Sequence, residues 1–211
     1  MSAMLKSWRT LAAAGFAVAA IGCGDMARDS RSPVQLTLLS LEAASGASPD
    51  EFGSVLHSDV LTNVQRTVDG QQQSIPTIFG DNGSASFAIV LKNPGSDPAN
   101  PAAPSPLNSV TVTRYRVVYR RTDGRNRPGV DVPFPFDSAA TATVTLDGGG
   151  TGFQLVRISA KQEAPLTTLA NNPDIISTIA DVTFYGRDQA GNDVSVTGSI
   201  GVEFGNFGDP Q

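Results

Sequence analysis

Side chains that could carry catalysis are scarce in this 211-residue chain. It has one histidine, His57, in the run Leu56-His57-Ser58-Asp59, and one cysteine, Cys23. A Ser-His-Asp triad needs a histidine as its base, and no nucleophile elbow of the G-x-S-x-G type is present. A single cysteine excludes an internal disulfide, and a single histidine excludes most His-based metal sites. We therefore expect a protein that is not an enzyme and has no resident cofactor.

Carboxylates leave one catalytic alternative open. Two acids about 5–10 Å apart in a cleft can hydrolyse glycosides. Sequence does not reveal such separations, so a carboxylate-dependent hydrolase stays open. It is the less favoured alternative. The acids available for it are Asp131, Asp137, Glu163, Asp181 and Glu203.

Six arginines are concentrated within 14 positions: Arg114, Arg116, Arg120, Arg121, Arg125 and Arg127. On a strand, Arg114, Arg116 and Arg120 share one face, opposite Tyr115, Val117 and Tyr119. Arginine binds carboxylate and phosphate groups with two parallel hydrogen bonds. The cluster is therefore a candidate docking surface for an acidic protein or an anionic envelope polymer. The simpler interpretation is a solvated strand face whose arginines pair with the protein's own acids.

Two further sets of residues are candidate ligand sites. Asp188, Asn192 and Asp193 offer oxygen ligands that calcium prefers, although Asp and Asn are also common in turns for conformational reasons. Tyr115, Tyr119 and Tyr185, with Phe134 and Phe136 in a loop, could stack sugars or small ligands. The turn interpretation is favoured over calcium.

The composition is that of a β-rich globular domain. Charged residues make up 17% and hydrophobic residues 40% of the chain, which has 21 Gly and 14 Pro. Low charge with many turn formers does not suit a coiled coil, a collagen or a disordered chain. The net charge of -5 argues against non-specific nucleic-acid binding.

The N-terminus has the pattern of a targeting segment. Lys6 and Arg9 precede an 11-residue apolar run, LAAAGFAVAAI, from Leu11 to Ile21. A membrane-spanning helix needs about 20 such residues, so this run fits the central region of a signal peptide. It ends in Ala20-Ile21-Gly22-Cys23.

These four residues resemble the lipobox of bacterial lipoproteins. The resemblance implies cleavage before Cys23 and attachment of lipid, palmitate included, to its thiol. Residues 1–22 are then a signal peptide, residues 23–33 the lipidated cysteine and a tether, and residues 34–211 a single domain. The implied location is the cell envelope, with the protein anchored to a bacterial membrane and facing the periplasm or the exterior.

Alternating apolar residues predict about seven short strands in the remaining chain. Their inward positions begin at Val34, Ala85, Tyr115, Ala142, Phe153, Ala180 and Val194, and the fifth strand extends through Ile158 to Ala160. Gly198 suggests a bulge or bend in the last strand. Turn clusters separate the strands, among them Gly80-Asp81-Asn82-Gly83. Short helical turns are expected near residues 49–61 and 165–171.

Two long segments resist assignment. Residues 93–108 hold five prolines and are expected to form an exposed loop. Residues 42–84 are polar, with room for one or two edge strands. The pattern as a whole predicts an all-β, antiparallel sandwich, with a closed barrel as the alternative.

The run DVTFYGRDQAGND, residues 181–193, is similar to the last hairpin of bacterial immunoglobulin-like and fibronectin type III-like domains. The resemblance implies an immunoglobulin-like sandwich but says little about function. We expect a structural or protein-interaction role in the envelope. The alternative is a module that binds glycans or small ligands.

Overall fold

The computed structural model describes residues 31–92 and 108–208. Ten strands form in this part of the chain, three more than the apolar pattern predicts. They are β1 (Val34–Ala44), β2 (Val55–Asp59), β3 (Thr62–Val68), β4 (Gln71–Thr77), β5 (Asp81–Leu91), β6 (Val110–Arg120), β7 (Phe136–Val144), β8 (Gly149–Val156), β9 (Ile176–Asp188) and β10 (Asp193–Gly205). A short helix, α1 (Ile158–Lys161), and a 3-10 helix (Leu166–Asn171) connect β8 to β9.

The strands form an all-β sandwich, as predicted. One sheet has the order β1-β5-β8, and the other has the order β2-β10-β9-β6-β7. Neighbouring strands are antiparallel except β2, which runs parallel to β10. The third sheet is the hairpin of β3 and β4.

The core lies between the two main sheets. The alternating residues of β5, β6 and β9 point into it, because side chains on a strand face opposite sides in turn. Phe87 packs edge-on against Phe184 with ring centroids 4.9 Å apart, and Tyr115 packs against Phe153 at 5.2 Å. These aromatic contacts join the two sheets at the centre of the domain.

Several sequence predictions are wrong in detail. The fifth strand ends at Val156, and Ile158 is exposed at the start of α1. Residues 49–61 contain β2 rather than a helical turn, whereas the 3-10 helix confirms the turn near residues 165–171. Residues 42–84 hold three strands in addition to the strand ends, and residues 93–107 lie outside the described part of the chain.

Gly198 does not bend the last strand. The pairing of β10 with β9 runs without a register shift from Asp193 to Phe204. A Cβ at Gly198 would lie 2.2 Å from Leu38 Cδ2 and 3.1 Å from Leu41 Cδ2. The glycine therefore provides the space in which β1 side chains pack on β10. Among the described strands, register shifts occur in the pairings of β1, β5 and β6.

Candidate functional site

The outer face of the five-stranded sheet carries the predicted arginine face. Arg114, Arg116 and Arg120 are exposed, while Tyr115 and Tyr119 point inward, as the alternation predicts. Arg114 Nη1 lies 3.3 Å from Asp137 Oδ1, and Arg116 Nη1 lies 2.7 Å from Asp137 Oδ2. Asp137 of β7 therefore forms ion pairs with two arginines of the adjacent strand β6.

Arg120 makes the shortest ion pair of this face. Its Nε lies 2.5 Å from Asp181 Oδ2 on β9, and Ser199 Oγ donates to Asp181 Oδ1 at 2.6 Å. Burial raises the pKa of Asp181, but the hydrogen bonds from Arg120 and Ser199 outweigh it and lower the pKa. Asp181 is thus held as an anion by its neighbours.

The other three arginines lie in the loop after β6. Arg121 and Arg125 both donate to Asp123, with closest distances of 2.7 and 2.8 Å. Their hydrogen bonds hold the pKa of Asp123 well below its usual range. Arg127 pairs with Asp131 at 2.8 Å and lowers the pKa of that carboxyl. All six arginines thus pair with acids of this chain, so an anionic partner must compete with them.

The three candidate tyrosines are not brought together as a stacking surface. Tyr115 and Tyr119 are buried, and their hydroxyls donate to the carbonyls of Gln154 and Leu155 at 2.9 and 2.6 Å. A ligand on the surface cannot reach these two rings, so this part of the prediction is wrong. Tyr185 is half-buried, and Arg114 Cζ lies 3.7 Å from its ring centroid.

Tyr185 and Arg114 line a shallow concavity of about 360 Å³ on this face. Arg187, Asp193 and Ser195 complete its polar wall. Arg187 Nε is 2.8 Å from Asp193 Oδ1. Two of the charged side chains that line the concavity, Arg187 and Asp193, therefore already pair with each other.

The calcium candidates form a turn. Asp188 Oδ1 accepts hydrogen bonds from the backbone N–H groups of Ala190 and Asn192 at 2.9 and 2.8 Å, and Oδ2 accepts one from Asn192 Nδ2 at 2.8 Å. Asp193 pairs with Arg187 instead. In residues 31–92 and 108–208, no group of three or more His, Cys, Asp or Glu side chains is placed to hold a metal ion.

His57 lies on the edge strand β2, where its Nδ1 is 3.1 Å from Glu203 Oε2. Its ring also packs edge-on against Phe207, with centroids 5.6 Å apart. Glu203, one of the acids considered for hydrolysis, therefore faces a histidine. Of the other four candidates, Asp131, Asp137 and Asp181 each pair with arginine. Glu163 is exposed after α1.

Sequence reasoning missed a buried polar cluster between β5 and α1. Lys161 and Asp81 have fully buried side chains, and Lys161 Nζ lies 2.9 Å from both Asp81 oxygens. Ser58 Oγ donates to Asp81 Oδ2 at 2.6 Å, and Gly46 N–H donates to Oδ1 at 2.9 Å. Lys161 Nζ also donates to the Asp59 carbonyl at 2.7 Å.

This cluster corrects the prediction that Gly80-Asp81-Asn82-Gly83 is a turn. Asp81 is the first residue of β5 and is inaccessible to solvent. Burial raises its pKa, although Lys161, Ser58 and the Gly46 amide act in the opposite direction. The only sequence signal was that Asp81 is in phase with the inward positions Ala85 and Phe87 of the alternating strand that follows, and a turn explains an acid at this position equally well.

The sequence predicted one or two edge strands in residues 42–84 but did not identify the β3–β4 hairpin. Its two strands pair from Thr62–Thr77 to Val68–Gln71 through a tight turn at Asp69 and Gly70, both with positive φ. Beyond its base most side chains are exposed, and neither strand packs extensively on another element of residues 31–92 and 108–208. The hairpin projects from the sandwich, and no other described strand pairs with either of its edges.

The predicted lipid site, Cys23, and the predicted signal peptide, residues 1–22, lie outside the described residues. No helix among residues 31–92 and 108–208 has the length and apolar character to cross a membrane. No known family model matches this chain, and neither the curated proteins nor the solved structures include a match.

Proposed function

We propose that this protein is a lipid-anchored component of the bacterial cell envelope with a non-enzymatic, protein-interaction role. The apolar run that ends in Ala20-Ile21-Gly22-Cys23 supports the anchor. Lipid chains contribute about 0.8 kcal/mol for each buried CH₂, and stable anchoring takes more than one chain. The protein then faces the periplasm or the exterior from a lipidated Cys23.

The tether keeps the domain near the membrane. The first strand begins at Val34, and ten or so extended residues span at most about 35 Å. This distance is close to the size of a small domain. The partner must therefore also lie at or near the membrane surface.

The strand order supports an immunoglobulin-like assignment. In constant-type domains the first, second, fourth and fifth strands share one sheet, and the third, sixth and seventh share the other. Sheet β1-β5-β8 and the run β10-β9-β6 match this arrangement apart from the fourth strand, because β7 pairs with β6 in the other sheet. In this assignment β3 and β4 are an insertion between the first two standard strands.

The observation that carries the interaction role is the projecting hairpin. An isolated two-stranded hairpin is marginally stable in water, and its edges expose unpaired N–H and C=O groups that can pair with another chain. The hairpin contains one Arg and one Asp among its 16 residues, with glutamine and threonine otherwise common. A near-neutral polar edge suits strand addition by an extended segment of an envelope protein.

The anchor is tested by metabolic labelling with an alkyne palmitate analogue. We expect the wild type to incorporate the label and to partition with membranes. The Cys23→Ser variant should lose both properties. Label that persists in the variant, or a wild type without label, contradicts the anchor.

The interaction is tested by photo-crosslinking in native membranes. A photoreactive phenylalanine analogue replaces Gln72 at the hairpin tip, and a matched control replaces Ala190 in the exposed turn between β9 and β10. We expect a discrete adduct from position 72 alone, identified by mass spectrometry. Equal adducts from both positions, or none from position 72, contradict the hairpin as the interaction site.

The concavity at Arg114 and Tyr185 favours a second function, binding of an acidic glycan. Arginine recognises carboxylates in pairs of hydrogen bonds, and the wall of the concavity carries two arginines. Titration with uronic-acid oligosaccharides should show saturable binding that an Arg187→Ser variant loses. Absence of binding by the wild type removes this candidate.

A further inference from the structure

We propose that Lys161 and Asp81 join through an intramolecular amide bond, which makes this buried cluster a self-modification site. The inference is independent of the proposed envelope function. It starts from the placement of a primary amine and a carboxyl group in contact, with no solvent access to either side chain.

The geometry suits bond formation. Lys161 Nζ is 2.9 Å from both Asp81 oxygens, which places it about 3 Å from Cγ. Reacting atoms in near-attack conformers are about 3–3.5 Å apart. Asp81 lies on β5, which is paired with β1 and β8. Lys161 lies on α1, between β8 and the 3-10 helix.

Burial favours the neutral carboxylic acid form of Asp81. Removing two charges from water costs several kcal/mol for each ion, and burial raises the pKa of Asp81. Transfer of a proton from the ammonium group to the carboxylate gives an amine and a carboxylic acid. The amine then has a lone pair, while one of its N–H groups still donates to the Asp59 carbonyl.

The two oxygens of the Asp81 carboxyl group accept hydrogen bonds from different donors, which assigns each oxygen a different role in the reaction. Gly46 N–H donates to Oδ1 at 2.9 Å and can stabilise negative charge that develops there. Oδ2 accepts from Ser58 Oγ at 2.6 Å and lies 2.9 Å from Nζ. Oδ1 is therefore the future amide oxygen, and Oδ2 is the leaving oxygen.

The step balances without a co-reactant. The Nζ lone pair attacks Cγ, and a new C–N bond forms. One proton moves from Nζ to the protonated Oδ2, the Cγ–Oδ2 bond breaks, and one water leaves. The product keeps an N–H that donates to Asp59 and a carbonyl that accepts from Gly46.

The bond has a structural consequence. It closes a loop of 80 residues, from β5 to the segment between β8 and β9. A crosslink of this kind removes conformational freedom from the unfolded chain. A protein with a single cysteine cannot achieve the same effect with an internal disulfide.

Tryptic peptide mapping of the wild-type protein tests the proposal. Without the bond, cleavage gives separate peptides 67–92, 158–161 and 162–187. With the bond, Lys161 is not cleaved, and peptides 67–92 and 158–187 form one branched species that is lighter than their sum by one water. The branched species also excludes dehydration at Asp-Gly sequences, which does not join peptides.

Two lysine variants provide the controls. Lys161→Met should abolish the branched species, and Lys92→Arg, at an exposed position, should retain it and the cleavage after residue 92. Separate peptides from the folded wild type overturn the proposal and leave a buried ion pair. The wild-type map decides the matter even when the Lys161 variant does not fold.

Discussion

A methyl group added at Gly186 should disrupt the centre of the five-stranded sheet. Gly186 lies on β9 opposite Val112 of β6, next to the register shift between Val112 and Arg114. An ideal Cβ there would lie 2.5 Å from the Thr111 carbonyl oxygen and 3.0 Å from Val112 Cα. Both atoms belong to the backbone, so no side-chain rotation relieves the clash.

The size of the effect follows from these distances. Ordinary C···O contacts between strands are about 3.3 Å or longer, so β6 and β9 must separate locally by roughly 0.8 Å. That movement breaks about two ladder hydrogen bonds at about 1 kcal/mol each, and overpacking adds about 1–3 kcal/mol. We expect Gly186→Ala to lower the unfolding free energy by about 3–5 kcal/mol and Tm by roughly 10 °C.

Thermal and urea unfolding followed by circular dichroism measure this effect. Gly201→Ala is the matched control, because a Cβ there meets only Val55 side-chain atoms at 3.5 Å or more. Gly198→Ala should fall between the two, since Leu38 Cδ2 at 2.2 Å belongs to a flexible side chain. If all three variants unfold within about 1 kcal/mol of one another, the argument from backbone contact is refuted.

Three further predictions concern single groups. Asp188→Ala should lower the unfolding free energy by about 1–3 kcal/mol at pH 7. Because the native pKa of Asp188 is lowered, this loss should shrink as the pH falls below about 3.9 and the wild-type carboxyl protonates. A loss that does not change with pH in urea titrations would contradict this prediction. Gly70→Val should open the hairpin, because φ is +78° there, with little change in Tm; hydrogen exchange should rise in β3 and β4 but not in β5. Burial raises the pKa of Tyr119, so Tyr119→Phe should leave the tyrosinate absorbance rise near pH 10 unchanged while the protein is folded, and a smaller rise would show that this hydroxyl is accessible.

The alternation of apolar residues predicted the main strands because it reflects a local rule. A strand that covers a core must place every second side chain inward. Val34 and Leu36, Phe87 and Ile89, and Val182 are all buried as this rule requires. Strands that cover no core have no such pattern, which is why residues 42–84 were expected to hold only one or two edge strands and the bounds of β3 and β4 were not predicted.

The candidate site was predicted only in part. The arginine face of β6 follows from spacing alone, and the structure confirms that Arg114, Arg116 and Arg120 lie on one face. Their acidic partners Asp137 and Asp181 come from neighbouring strands, and strand neighbours depend on the order of the sheet. Sequence gave no means to choose these partners among the chain's 20 acids.

The sequence by itself determined the all-β class, the faces of the main strands and the resemblance of the N-terminus to a lipoprotein signal, because each depends on residues close together in the chain. Only the tertiary structure decided that Tyr115 and Tyr119 are buried and that the hairpin projects. It alone placed Lys161 against Asp81, 80 residues away. Contacts at such separations depend on how two sheets pack, and no local pattern encodes that packing.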